Sequence, residues 1–247
     1  MNAFKMDAAW RMGDWNALDE ASKHQTIETT ESFIARALGS MKKNRNLEAA
    51  SYIEHARRDL ISSLGAKTIE SYQKSYQTIF KLQQLQELED AQKAWESKDP
   101  IEKVSELENK WNRTLKLLMP QYQHIHDLLE LRRTALYDIR PRQQSVSCGG
   151  IWLDIAKYSR KNGHLIVALD AIVNAERAGN EITHREKAKW LWQTGRRQDA
   201  VTMLTNLEDV TANDAIILNS FYLKDSSIYN GEKARFYMTH ARKGPEK

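Results

Sequence analysis

The sequence predicts an all-α fold, a helical-repeat α-solenoid of antiparallel helix pairs like those of tetratricopeptide arrays. Three observations carry that prediction. Apolar residues recur with the 3.6-residue period of an amphipathic helix through most of the chain. Turn punctuation is sparse, with 4 prolines and 10 glycines in 247 residues, which starves a β or α/β fold of turns. Residues 151–207 hold the same helix, glycine turn and helix twice. Gly163 precedes Ala168 and Gly195 precedes Ala200 at equal spacing, with the two glycines 32 residues apart. That is close to the ~34-residue period of tetratricopeptide units. Such a unit cannot bury its apolar face alone and must stack on neighbours.

The elements follow in order. In AAWRMGDWNALDEA, Ala9 and Trp10 share a face, Gly13 breaks the run, and Trp15 and Leu18 resume it. Ile34, Ala37, Leu38 and Met41 keep the helical period, and so do Leu47, Ala50, Arg57, Leu60, Ile61 and Leu64. Asn46 is placed to cap that second helix and Gly65 to stop it. A long helix follows, with a stripe of Ile69, Tyr72, Tyr76 and Ile79 continued by Leu88, Ala91 and Trp95. Pro100 disfavours helix in the residue before it, so the helix ends at Ser97–Asp99. Asp99 and Pro100 then suit the cap and first position of a new helix. Its apolar side is Val104, Leu107, Trp111, Leu115 and Leu118. Met119-Pro120 marks a further boundary, and Ile125, Leu128, Leu129 and Leu136 form another stripe.

Residues 140–150, RPRQQSVSCGG, read as a loop inside one continuous array over 1–247. It separates irregular helical pairs at 1–139 from two regular hairpins at 151–207. Trp190 and Trp192 cannot both face one core squarely. One is expected to pack on the preceding hairpin and the other on the next. Terminal helices are expected over 208–247, one around Ile216, Ile217, Phe221 and Tyr222, another from Lys233 to Arg242.

Composition narrows the class further. The chain is 41% hydrophobic and 28% charged, which suits a folded helical protein rather than a disordered one. No apolar run approaches the ~20 residues needed to span a bilayer. The N-terminus lacks a signal-peptide core and enters an amphipathic pattern almost at once, as an internal piece of a longer protein does. The lone Cys148 cannot form an internal disulfide and fits a reducing compartment, cytosol or nucleus. Residues 1–120 carry 18 basic and 18 acidic side chains, so the net charge of +4 arises from 121–247. The densest basic cluster is Arg132, Arg133, Arg140 and Arg142. It reads as a solvated helix end plus a loop, with contact to nucleic acid or an acidic partner as the competing reading.

No motif assigns a catalytic, cofactor-binding or metal-binding residue. The chain has neither a GxxxxGK[ST] loop nor a glycine fingerprint after a strand. No local string assembles the phosphate-covering loop, lysine and Mg²⁺-binding carboxylates of a kinase. Cys148 has no evident base beside it. His124 and His126 are two apart, so on a helix they do not face each other and make a poor metal clamp. Trp10, Trp15, Trp95, Trp111, Trp152, Trp190 and Trp192 lie mostly on helical stripes, where core packing outweighs base stacking. The residues alone leave open a scaffold within a larger protein, a free-standing adaptor with a peptide groove, and a nucleic-acid binder.

The strings WLDIAKYSRKNGHLIVALDAIVNAE and EKAKWLWQTGRRQDAV resemble the C-terminal part of a FAT domain from the phosphatidylinositol-3-kinase-related protein kinases. ATR-type DNA-damage checkpoint kinases are the most similar among these. AAWRMGDWNALDE resembles the family's Ala-Ala-Trp opening, and Glu130-Leu131-Arg132-Arg133 its Leu-Arg-Arg string. Residues 20–110 match by helical pattern more than by identity, and Ser159 stands where the family often has alanine. The resemblance implies a regulatory fragment that braces a kinase domain of the same parent chain and relays the binding of a regulatory partner subunit. It implies a parent that is a homodimer of such a heterodimer, acts in the nucleus and signals damaged or single-stranded DNA through its partner. That parent would use ATP and Mg²⁺ in its kinase domain to phosphorylate serine or threonine followed by glutamine. No catalytic residue carries over to this chain, no membrane contact is implied, and direct nucleic-acid binding is not expected.

Overall fold

The structure, a computed structural model, describes residues 2–24, 28–65, 72–118, 121–139, 148–180, 182–205 and 211–224. The architecture is all-α, and no strand occurs among the described residues. The chain divides into two compact units, Met1–Val146 and Ser147–Lys247. The sequence reading drew no boundary there. Ile69, Met119-Pro120, residues 140–147, Leu207 and the expected helix at Lys233–Arg242 lie outside the described residues.

In the first unit, α1 (Asn2–Met12) and α2 (Trp15–Lys23) form the first hairpin. Gly13 makes the turn at φ +73, and the Asp14 side chain accepts from the N–H of Ala17 at 3.0 Å to cap α2. The second hairpin pairs α3 (Thr30–Lys42) with α4 (Asn46–Gly65). Thr29 and Ser32 form a reciprocal cap at the start of α3. Then come α5 (Tyr72–Glu96), α6 (Pro100–Leu115) and α7 (Tyr122–Arg133), the last continuing into a π-helical turn at Thr134–Asp138.

Two apolar stripes differ from the sequence reading. On α4, Leu47 is 90% exposed and Ile61 55%, while Ala49, Ile53, Ala56 and Leu60 are buried. The facing helix α3 buries Ala35, Ala37 and Gly39, so this hairpin packs on small residues that let backbones approach closely. Leu60 is buried as expected, whereas size-weighted periodicity wrongly placed Leu47 and Ile61 on the core side. On α5, Ile79 is 54% exposed and the buried side is Phe80, Leu85, Leu88, Ala91 and Trp95, with Thr78, Glu87 and Gln92 among them. Leu88, Ala91 and Trp95 are buried as expected, and Ile79 is the misplaced member of the stripe. Asn46 does not cap α4. It is the first helical residue, the Arg45 carbonyl accepts from Ala49 at 3.1 Å, and the Asn46 carbonyl accepts from Gln92 Nε2 at 2.9 Å. Asp99 precedes Pro100 at the start of α6 as expected, without a side-chain cap bond. Val104, Leu107, Trp111 and Leu115 are buried along α6.

The second unit is more regular. Helices α8 (Gly149–Lys161) and α9 (Leu165–Arg177) pair, then α10 (Thr183–Gln193) and α11 (Arg197–Thr205), and α12 (Ala212–Lys224) packs on that second pair. Helix α8 begins at Gly149, so Gly149 and Gly150 are helical rather than part of the loop expected at 140–150. Alanines dominate the hairpin contacts, with Ala168, Ala171, Ala175, Ala188, Ala200 and Ala215 all buried. Gly163 and Gly195 turn the hairpins at φ +83 and +88, a region that disfavours β-branched residues.

A Cβ at either glycine would meet no atom within 4 Å, so the cost of substitution is backbone strain alone. We expect Gly163→Val and Gly195→Val each to destabilise by about 1–2 kcal/mol, and Gly→Asn by clearly less. Urea unfolding of the four variants checks this, and equal costs for Val and Asn would contradict it.

Candidate functional site

The most developed polar constellation lies inside the first unit, where α5, α6 and α7 meet. The Arg132 guanidinium grips the Glu87 carboxylate with two bonds of 2.7 Å, from Nε and from Nη2. Nη2 also donates to the Trp111 carbonyl at 3.1 Å, and the guanidinium lies 5.2 Å from the Trp111 ring centroid. The side chains are 2% and 1% exposed. Arg133, one residue on, is buried too. It donates to Glu130 Oε2 from Nε at 3.0 Å and from Nη2 at 2.7 Å, to Asp138 from Nη1, and to the Arg11 carbonyl from Nη2 at 2.7 Å. Arg11 in turn pairs with Asp127 at 3.2 Å. Helices α1 and α7 are thereby joined by charged groups in both directions.

The π-turn explains how the rest connects. Its i→i+5 bond, Ile139 N–H to the Thr134 carbonyl at 3.2 Å, leaves carbonyls out of the ordinary helical ladder. Trp95 Nε1 donates to the Ala135 carbonyl at 3.0 Å, and Lys42 Nζ to the Asp138 carbonyl at 2.7 Å. Tyr137 donates its hydroxyl hydrogen to Glu108. Burial pushes the Glu108 carboxyl up, against that hydrogen bond, and likewise raises Asp138 against the pull of Arg133.

Arg132 and Arg133 are therefore neither a solvated helix end nor a nucleic-acid contact, contrary to both sequence readings. Each is enclosed with its carboxylate partners. Arg140 and Arg142 lie outside the described residues. His124 packs on Phe80 at 4.5 Å and near Tyr76 at 5.5 Å, whereas His126 stacks on Tyr122 at 5.3 Å. The two rings have different neighbours. Cys148 precedes α8 at its cap position. Among the described residues no group of three or more His, Cys, Asp or Glu side chains is placed to hold a metal ion, and no helix is long and apolar enough to cross a membrane.

In the second unit the tryptophans interlock as expected. Trp190 Nε1 donates back to the Leu165 carbonyl of α9 at 2.8 Å, and Trp192 stacks forward on Phe221 of α12, with centroids 4.1 Å apart and planes 7° from parallel. Asp214, in the first turn of α12, ties that helix to α10. It accepts from Arg185 Nε at 2.7 Å, from Thr211 Oγ1 at 2.6 Å and from the Thr211 N–H at 3.1 Å, and lies 3.2 Å from His184 Nε2. Burial acts to raise its pKa, but the hydrogen bonds from Arg185, Thr211 and His184 outweigh it and bring the carboxyl to about 2. Glu186 links α8 to α10, at 3.0 Å from Arg160 and 2.7 Å from Lys189. Burial opposes ionisation there, yet these cations hold its pKa below the ordinary value. Helices α8, α10 and α12 line a shared cleft of about 380 Å³ that includes Lys157, Ile182 and Ile216.

Sequence reasoning missed Glu87, Glu108, Tyr137 and Asp214. Two adjacent arginines inside the apolar string LELRRTAL were a usable signal of buried pairing, because a charge amid a continuous apolar run must find a partner.

Paired helices locked by enclosed polar groups define a helical-repeat protein. The family-level match sharpens that class: the model of the FAT domain matches residues 2–241, and the chain belongs to the FAT domain family. Relatives include the serine/threonine-protein kinase ATR of Oryza sativa subsp. indica, 30% identical over 219 residues, and that of Arabidopsis thaliana, 29% identical over 218. Each alignment covers 81% of this chain and 8% of the relative. The serine/threonine-protein kinase TOR of Oryza sativa subsp. japonica is also similar, 28% identical over 188 residues, covering 68% of this chain and 7% of the kinase. The chain thus spans less than a tenth of the length of these relatives.

Two outcomes follow from the geometry. Glu87→Met or Arg132→Met alone leaves one enclosed charge uncompensated and is expected to destabilise by about 3–5 kcal/mol. The double variant Glu87→Met/Arg132→Met is expected to cost much less than the sum, which a double-mutant cycle by urea unfolding measures. For Asp214, the folded pKa of about 2 lies below the ordinary 3.8. A carboxyl depressed on folding contributes stability above its unfolded pKa and loses it as pH falls through the folded value. Asp214→Asn is expected to cost on the order of 1–2 kcal/mol at pH 6, with the difference from wild type shrinking progressively between about pH 5 and pH 1. A gap that stays constant across that window would contradict the assignment.

Proposed function

We propose that this chain is a non-catalytic regulatory scaffold within an ATR-type serine/threonine protein kinase, bracing the parent's kinase domain and relaying partner binding. The observation that carries the reading is the interlock of the second unit, where Trp190 reaches back and Trp192 reaches forward. Successive helix pairs so joined move together, and a rigid array biases a bound kinase domain by contacting its states unequally. Family membership supports this role, and the similarity to ATR kinases favours checkpoint signalling of damaged or single-stranded DNA, in the nucleus, with a regulatory subunit and a dimeric parent. In this reading ATP and Mg²⁺ are bound by the parent's kinase domain, whose residues are not in this chain.

Purified 1–247 is expected to transfer no phosphate from ATP, and the full-length parent to phosphorylate peptides carrying serine or threonine before glutamine. Trp192→Ala in the full-length parent is expected to lower kcat severalfold while leaving the KM for ATP within about twofold. Phosphotransfer by 1–247 alone overturns the non-catalytic role. An unchanged kcat in the Trp192 variant overturns the bracing. A parent with no preference for glutamine after the phosphorylated residue overturns the checkpoint assignment.

A further inference from the structure

We propose that the cleft between α2, α3 and α4 binds a phosphomonoester dianion borne by a phosphoserine or phosphothreonine of a partner peptide. The cleft measures about 290 Å³, and the cations Lys23, Arg36, Lys43 and Arg45 line it against the carboxylates Asp19 and Glu48. Its floor forms because Gly39 lets α2 come close, with Leu18 Cδ2 3.4 Å from where a Cβ would stand. Its rim forms because Asn44 adopts a left-handed φ of 57, and the tight turn brings Lys43 and Arg45 to the same opening.

Ser22 and Ser40 also line the cleft. Ser40 is more than nine-tenths buried, yet its hydroxyl has no hydrogen-bond partner among the described residues. The hydroxyl is reached by solvent rather than sealed in the core, and Ser40 lines the cleft beside a cluster of cations. Arg36 is mostly buried, 3.5 Å from Glu28 and 5.9 Å from the Tyr52 ring centroid, while Lys43 and Arg45 are more loosely held. Lys43 meets Asp19 at 2.7 Å in a pair that is about two-fifths exposed, and Arg45 meets Glu48 at 3.5 Å. Exposed pairs of this kind contribute little and exchange readily. Lys23 is exposed, with no ion pair among the described residues. A phosphate monoester carries close to two charges and three acceptor oxygens at neutral pH, enough to engage Lys23, Lys43, Arg45 and the Ser40 hydroxyl together. One enclosed cluster suits one phosphate group, whereas a nucleic-acid strand requires a stripe of cations.

The site is tested on the 1–247 chain by isothermal titration, and its outcome does not depend on the bracing role. The probes are an alanine-glycine peptide with a central phosphoserine, the same peptide unphosphorylated, and inorganic phosphate as competitor. The phosphopeptide is expected to bind at least about tenfold more tightly than its unphosphorylated form and to be displaced by phosphate. Lys23→Ala/Arg45→Ala, both at exposed positions, is expected to weaken binding about tenfold or more with circular dichroism unchanged. Ser40→Ala is expected to weaken it about threefold. Asp19→Asn, which frees Lys43 and removes a like charge, is expected to tighten it severalfold. Equal binding of the two peptides, or full phosphopeptide affinity in the Lys23/Arg45 variant, overturns the proposal.

Discussion

The ion pair between Glu87 and Arg132 is the constraint on which the first unit depends. Each charge is almost wholly removed from water, at a desolvation cost of several kcal/mol per ion. Attraction offsets that only if the geometry is near ideal and the remaining hydrogens find acceptors. The two-pronged contact supplies the geometry, and the Trp111 carbonyl takes up one further hydrogen. An apolar contact tolerates small slips, whereas a bidentate pair with a backbone anchor does not. Helix α7 is therefore set in register against α5 and α6 at one point. Arg133, immediately after it, is directed toward the Arg11 carbonyl and α1.

The π-turn extends the same logic. It ends α7 by releasing carbonyls sideways, and the side chains that collect them, Trp95 and Lys42, come from α5 and α3. Buried donors and acceptors must be satisfied, so the irregular backbone and the distant side chains require each other. In the second unit the restraint is distributed differently. Small alanine faces bring the helices of each pair together, two tryptophans join successive elements, and Asp214 ties the start of α12 to α10.

Much of this was legible in the chain. Gly163 and Gly195 marked their turns because their spacing to the following alanine repeats, Gly13 because it breaks an apolar run, and positive φ leaves glycine with little competition. The Trp190/Trp192 interlock was legible because residues two apart on a helix point about 200° apart. Parts of the stripes of α4 and α5 were misread, for two reasons. Periodicity weighted by size favours Leu47, Ile61 and Ile79, but close helix approach selects alanine, and a face carrying Glu87, Gln92 and Thr78 does not look like a core.

The sequence by itself determined the helical class, the hairpin turns and the family, since these rest on local backbone preference and on motif strings that survive without neighbours. Only the tertiary structure decided what the charges do. Whether an arginine is solvated, bound to nucleic acid or locked to a glutamate depends on what lies across from it, and Glu87 is 45 residues from Arg132 along the chain. The same holds for the cations beside Ser40, which three helices gather into one cleft. Local pattern specifies which residues are charged, and packing alone specifies which of them meet.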